Sequence, residues 1–429
     1  MYKEKQPSAN VSAPLSGRVG QGESPFDEPI NRRGTNCVKW DEKPEEDVIP
    51  LWVADMDFRV APAIQRAIER RAAQGVFGYT HVPEAYYEAI ISWFRRRHDW
   101  TIAREDILYT IGVVPAISCA IKAITMPGEK VLVLTPVYNC FFSSIRNNGC
   151  EVVESCLMEH ISPSALRPSP FTYKVNWQDF EAKCADEKTT AFLLCNPHNP
   201  GGRVWTREEL ERMNDICQRH GVRIVSDEIH CELVMPGQRF VPFGTVSSDA
   251  VICNSPSKSF NIAGLQTANI ICHDPSLRRR IDRAINIHEV CDLNPFGPEA
   301  LMAAYNESED WLDELCIYVK GNYDALCAFF AERLPQLKVM TLEGTYLAWI
   351  DIRALGMTSD ALADRLYHEG RVWVSSGTIY SPTAGEGYIR INMACPRAQL
   401  MEGLERMEKV LFKSPKFFAE QSGEAERGD

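Results

Sequence analysis

Five short runs constrain this chain more than any other feature: VLVL at 131–134, AFLLC at 191–195, VRIVS at 222–226, AVICN at 250–254 and NIIC at 269–272. Each has strand length and reads as apolar along its length. That texture predicts strands covered on both faces, as in a parallel sheet. Amphipathic helical patterns lie between the runs. One is well marked: Thr206 is a plausible N-cap, Glu209 completes a capping box, and Gly221 follows the last turn. Such alternation predicts an α/β domain with a largely parallel sheet. Ligands of these sheets bind beyond the carboxyl ends of the strands, so the residues after each run carry the functional signal.

The texture changes from about residue 338 onward. TYLAWIDI, RVWVSSG and GYIRINMA read as strands, with a helical pattern at 359–368 and another at 397–411. They predict a smaller α+β domain and a cleft between the two. A length of 429 residues accommodates this division. Residues 1–36 are rich in Ser, Pro, Gly and charge and read as a flexible arm; 413–429 read as a polar tail.

Composition narrows the class. A net charge of −12 argues against a nucleic-acid or anionic-membrane surface. The fifteen cysteines are scattered through apolar segments with no C-x-x-C pair, which predicts free thiols in a reducing cytoplasm. The opening MYKEKQPSANVSAPLSG lacks the apolar core of a secretory signal. No apolar run approaches the roughly 20 residues that span a bilayer. Asp227, Glu228 and His230 could ligate a metal, but no further ligand stands at a recognisable spacing, so no metal is expected.

Tyr138 follows the first run in TPVYNCF, and Asn196 and Asn199 follow the second in NPHNPGG. Asp227 and His230 follow the third in DEIH, and Lys258 follows the fourth in SPSKSF. Gly112 opens a helix ahead of them, where backbone N–H groups can take a phosphate. Each residue alone has a plain structural reading: a core aromatic, loop asparagines, helix-start carboxylates, a solvated lysine. Their convergence at successive strand ends points to pyridoxal phosphate chemistry. There a lysine forms a Schiff base with the cofactor, a carboxylate holds the pyridine nitrogen protonated, an aromatic stacks on the ring, and an asparagine binds the phenolic oxygen.

Several ordered motifs carry a resemblance over roughly residues 37–412. They are PLWVADMDF (50–58), GVFGYT (75–80), CNPHNPGGRVW (195–205), SDEIH (226–230), SKSFNIAGLQ (257–266), TYLAWID (345–351) and IRINMACP (389–396). The chain resembles a fold-type I pyridoxal phosphate enzyme of the class I/II aminotransferase group, and within it the MalY/PatB-type cystathionine β-lyases, or C–S lyases. The resemblance implies a large PLP-binding α/β domain (66–314) with a mostly parallel seven-stranded sheet. It implies a small α+β domain from 37–65 with 315–412.

Lys258 would be the Schiff-base lysine and proton shuttle, its amine pKa depressed by burial and nearby positive charge. Asp227 would pair with the pyridine nitrogen, Asn199 with the phenolic oxygen, and Tyr138 with the ring face; His230 would line the cofactor. Ser255, Ser257 and the amides near Val113 and Val114 would hold the phosphate. Tyr79 would reach the phosphate of a neighbouring subunit, implying a homodimer. Arg390 would clamp the substrate α-carboxylate, with Ala54, Tyr138 and Asn199 also lining the substrate. Three departures from the broader aminotransferase pattern favour lyase over transaminase: His230 for a tyrosine, Gln266 for an arginine, and Gly201 for a threonine. The expected reaction is β-elimination from L-cystathionine or related S-substituted cysteines; transamination on the same scaffold is the alternative.

Overall fold

The computed structural model describes residues 24–43, 45–161 and 171–412. Seven strands form the main sheet: β1 (Ile107–Thr110), β2 (Lys130–Thr135), β3 (Glu151–Cys156), β4 (Thr189–Cys195), β5 (Arg223–Asp227), β6 (Val251–Asn254) and β7 (Ala268–Cys272). Their order across the sheet is β1-β7-β6-β5-β4-β2-β3. Strands β2 to β6 pair in parallel.

The apolar texture of the runs follows from this two-sided burial. Val131, Val133, Ala191, Leu193, Val225 and Val251 point to one face, where they pack with residues of the helices Val113–Ile124 and Pro275–Ile287. Leu132, Leu134, Phe192, Leu194, Ile224 and Ile252 point to the other, into a second and larger core. Successive residues alternate between faces, so neither parity has a solvent side to fill with polar groups. The helix Arg207–Arg219 covers the second face through Leu210, Met213, Ile216 and Cys217. Its start is the expected capping box of Thr206 with Glu209, and Gly221 beyond its end has φ +71°.

Three expectations need correction. The run at 269–272 is not a parallel strand: β7 is antiparallel to both β6 and β1. No helix crosses the sheet between β6 and β7, only the short 3-10 turn Ala263–Leu265, so the chain returns in the opposite direction. That return loop carries Lys258.

RVWVSSG is not one strand. Val372–Trp373 pairs in parallel with Ile49–Pro50, and after Val374 the chain joins a different sheet as β10 (Ser375–Ser376). This four-stranded sheet also holds β8 (Lys338–Val339), β9 (Leu347–Asp351) and β11 (Tyr388–Asn392), in the order β8-β9-β11-β10. The helices Ser359–His368 and Arg397–Phe412 stand where the sequence placed them.

The expected arm is folded from Ser24 onward. Phe26 is buried against Phe58, Trp311 and Tyr318, and Arg32 pairs with Asp55 and Asp57. One buried aromatic and one well-paired arginine outweigh a polar local composition. Residues 1–23 of the arm, and the tail at 413–429, lie outside the described residues. Among the described residues no helix is long and apolar enough to cross a membrane.

Candidate functional site

The parallel strands end at one edge of the main sheet, and that edge holds the site. Asp227 is the last residue of β5, in register with Cys195 on β4 and Cys253 on β6. Its side chain is 2% exposed and accepts one hydrogen bond, from the Ile229 amide at 3.1 Å. It forms no ion pair within the described chain. Burial therefore pushes its carboxyl up to about 7, against the Ile229 bond and the nearby Lys258 charge, which pull it down. Such a carboxylate waits for a cationic partner.

This arrangement makes a stability prediction for the cofactor-free chain. The folded carboxyl holds its proton up to about pH 7, whereas the unfolded one releases it near 3.8. The folded state therefore binds more protons in that window, and stability falls as pH rises through it. Asp227→Asn removes this loss. The variant is expected to exceed the parent at pH 8 by as much as about 4 kcal/mol, with the gap closing towards pH 4. Urea unfolding of both cofactor-free proteins at pH 4, 6 and 8 measures it; a variant no more stable than the parent at pH 8 refutes it.

Lys258 lies in the return loop between β6 and β7. Its Nζ donates to the Ala54 carbonyl at 2.7 Å. Burial lowers its pKa, and Arg390 adds to that, while Asp55 and Asp227 oppose it. The lowering eases release of the ammonium proton, and the free amine is the form that can accept a proton or attack a carbonyl carbon.

Arg390 stands in the middle of β11 and is only 4% exposed. It donates to Asn199 Oδ1 at 3.0 Å and to the Trp52 carbonyl at 2.7 Å, and its guanidinium lies 4.8 Å from the Tyr380 ring centre. Its Nε is buried with no partner. Every hydrogen-bond partner it has is neutral. A buried guanidinium without a carboxylate is costly, and its free donor suits an incoming anion.

Asn199 reaches this site because its loop is tightly packed. A Cβ on Gly201 would sit 2.9 Å from both His198 Nδ1 and a Tyr173 ring carbon, so packing explains glycine there. Asn196 turns elsewhere, donating to the Val241 carbonyl at 3.2 Å.

Tyr138 follows β2, half-buried, with its ring edge-on to Phe141 and the Cys140 side chain nearby. His230 is buried with Nδ1 unpartnered and its ring edge-on to Tyr346. Burial, helped by Lys258 and Arg390, pushes its imidazole down to about 3, so it is neutral at working pH.

Gly112 caps the helix Val113–Ile124, and no side chain caps that end. The first-turn amides of Val113 and Val114 thus lack intrahelical partners. Ser255 differs from the expectation of a phosphate donor. Its hydroxyl donates to the Thr267 carbonyl at 2.6 Å and accepts the Ser257 amide at 3.0 Å, so its one proton is already committed. Gln266 is exposed in a left-handed turn. Tyr79 does not join the cluster; it is fully exposed.

Sequence reasoning missed the Trp52 carbonyl, Tyr346, Tyr380 and Cys140. Trp52, Tyr346 and Cys140 lie inside PLWVADMDF, TYLAWID and TPVYNCF, which were their only signal; Tyr380 had none. Among the described residues no group of three or more side chains could hold a metal ion.

The description of aminotransferases of class I and II matches residues 46–407. The cystathionine beta-lyase PatB of Bacillus subtilis (strain 168) is 39% identical over 90% of this chain and 99% of its own. Cystalysin from Treponema denticola, a structure containing pyridoxal 5'-phosphate, is 33% identical with a TM-score of 0.84, covering 90% of this chain and 98% of its own. The PLP-bound C–S lyase from Staphylococcus hominis is 31% identical with a TM-score of 0.82, covering 91% and 99%. The strand-end cluster therefore sits in a chain that belongs to the class I and II aminotransferase family.

Proposed function

We propose that this protein is a pyridoxal phosphate-dependent C–S lyase that removes the sulfur substituent of L-cystathionine or a related S-substituted cysteine. One observation carries the reading. A buried carboxylate in no ion pair (Asp227) and a lysine of lowered pKa (Lys258) lie at the strand-end edge, and a buried guanidinium in no ion pair (Arg390) reaches that edge from β11 through Asn199. These are the complements of a protonated pyridine ring, an α-carboxylate and a transferable α-proton. The sulfur leaving group rests on the similarity to the B. subtilis and S. hominis proteins.

The residues fit the cofactor. Asp227 would hold a proton on the pyridine nitrogen, Tyr138 would cover the ring and His230 would line it, and Asn199 would take the phenolic oxygen. The Val113 and Val114 amides and the Ser257 hydroxyl would hold the phosphate, with Ser255 bracing Ser257. When bound, pyridoxal phosphate supplies an aldehyde for the substrate amine and an electron sink for the bonds at Cα. Arg390 then binds the α-carboxylate and orients Cα, with Ala54, Tyr138 and Asn199 around the substrate. Lys258 Nζ removes the α-proton, and the Cβ–S bond breaks. The net reaction takes up one water and yields pyruvate, ammonia and a thiol.

The main sheet would belong to a large domain at 66–314, and the four-stranded sheet to a small domain of 37–65 with 315–412. The bond between Arg390 and Asn199 bridges them. Tyr79 would act in a homodimer by reaching the partner's phosphate; its full exposure beside exposed Val76 and Phe77 supports that role. Fifteen free cysteines suit a reducing cytoplasm.

A coupled pyruvate assay over a panel of S-substituted L-cysteines tests the reading. Pyruvate release without any keto acid supports it. Strict dependence on a keto-acid acceptor replaces it with transamination.

A further inference from the structure

Residues 52–58 form neither helix nor strand, yet side chains hold almost every carbonyl among them. The Trp52 carbonyl accepts from Arg390 and from Ser375 Oγ at 2.9 Å; the Val53 carbonyl accepts from Asn392 at 2.6 Å. The Ala54 carbonyl accepts from Lys258. The Asp55 carbonyl accepts from Lys39 at 2.9 Å and Asn392 at 2.7 Å. The Met56 carbonyl accepts from Arg32 at 2.8 Å and Asn261 at 3.2 Å. Side chain to backbone bonds are a minority in folded chains, so this run of them marks a segment whose exact placement is imposed from outside.

The strap has two sides. One faces the site, where Trp52 and Ala54 hold the arginine and the lysine. The other is gripped by Lys39, which is 1% exposed. Lys39 Nζ donates to the Asp55 carbonyl and to Asp57 Oδ2 at 2.8 Å, and its own carbonyl accepts the Trp52 indole N–H at 3.2 Å. It therefore touches the strap at both ends. Asp57 also accepts from Arg32 at 2.9 Å, Trp40 at 2.8 Å and Gln399 at 2.9 Å. A buried ion pair of this kind adds little net stability over apolar residues of equal volume. What it does supply is a fixed geometry.

We propose that Lys39 is a positioning residue: with Asp57 as its counter-ion, it sets the strap at 52–58, and the strap's carbonyls aim Arg390 and Lys258 at the substrate. The proposal rests on the pyridoxal phosphate reading of the site. Lys39 touches neither substrate nor cofactor and acts only through Trp52, Asp55 and Asp57. A displacement of the strap by about 1 Å would break both carbonyl bonds and misplace the two groups, an error that can cost about a hundredfold in rate.

The test compares three holoenzymes: the parent, Lys39→Met, and Lys39→Met/Asp57→Asn. Removing one partner of a buried pair destabilises it; Arg32 still offsets part of the Asp57 charge in the single variant, and neutralising Asp57 removes the rest, so the double variant stays measurable if the single one fails to fold. The first readout is the dissociation constant for L-alanine, which has the amine and carboxylate but no sulfur, followed by the absorbance of bound pyridoxal phosphate. The others are the melting temperature and pyruvate release. We expect the double variant to recover the parent's melting temperature and still bind L-alanine about tenfold more weakly or worse, as for a lost bond to a charged group. Recovery of both stability and affinity makes Lys39 a purely structural residue and overturns the proposal. So does parental affinity in either variant. If the parent binds L-alanine in a Lys39-dependent way but releases no pyruvate, the lyase reading falls and the strap stands. If the parent binds no amino acid, both fall.

Discussion

Lys258→Ala is expected to lower pyruvate release from L-cystathionine by about a thousandfold or more, the combined scale of a lost general base and a lost covalent anchor. The structure explains the size of the effect. Lys258 Nζ lies close enough for its charge to act on both Asp227 and His230, and burial lowers its pKa. Lys39, a fully buried lysine, cannot stand in for it, since it is committed to Asp55 and Asp57. The variant should still fold, because the lost bond to Ala54 is one of many that hold the strap. Steady-state pyruvate assays with and without an added small amine check this. Turnover within about tenfold of the parent in the absence of amine would remove Lys258 from the chemistry.

The second large effect is at Arg390. Arg390→Met is expected to lower kcat/KM for L-cystathionine by about a hundred- to a thousandfold, as befits two charge-assisted bonds to a carboxylate. In the proposed role the guanidinium would grip an α-carboxylate that does not react, so most of the loss is expected in KM. Folding should suffer far less than activity. Arg390 has no acidic partner, so its removal strands no buried carboxylate; only the Asn199 and Trp52 acceptors lose a donor. Steady-state kinetics alongside urea unfolding separate the two. A loss of activity that merely tracks a loss of stability would make Arg390 structural. Arg390→Lys should recover little, because an ammonium cannot keep Asn199, Trp52 and a carboxylate in one fork.

Both predictions depend on residues far apart in sequence, and the sequence was an uneven guide to them. Asp227, Asn199 and Lys258 were legible because each follows a strand, and strand ends of a parallel sheet share an edge. Arg390 stood out as a charge inside the apolar strand YIRIN. Ser255 reads in sequence as a candidate phosphate ligand, but its hydroxyl donates to the Thr267 carbonyl. A hydroxyl's partner depends on which backbone group lies within 3 Å, and no local pattern encodes that. The antiparallel course of β7 was hidden for a related reason. A strand buried on both faces looks the same in either direction, and only its partners define its sense.

The folded stretch at 24–36 shows the limit of composition. Its polar residues resemble an arm, yet Phe26 and Arg32 have partners contributed by Asp55, Asp57, Phe58, Trp311 and Tyr318. The strap at 52–58 is more extreme, since its donors come from Arg32, Lys39, Lys258, Asn261, Ser375, Arg390 and Asn392.

By itself the sequence determined the α/β class, the alternation of strand and helix, and the edge on which chemistry would gather. Those follow from hydrophobic period and chain connectivity, which are local. The tertiary structure alone decided which polar groups were left unpaired. Asp227 and Arg390, neither of them in an ion pair among the described residues, are properties of packing, because burial removes water and no opposite charge is in contact with either. That imbalance is what prepares the site for a charged cofactor and a carboxylate substrate.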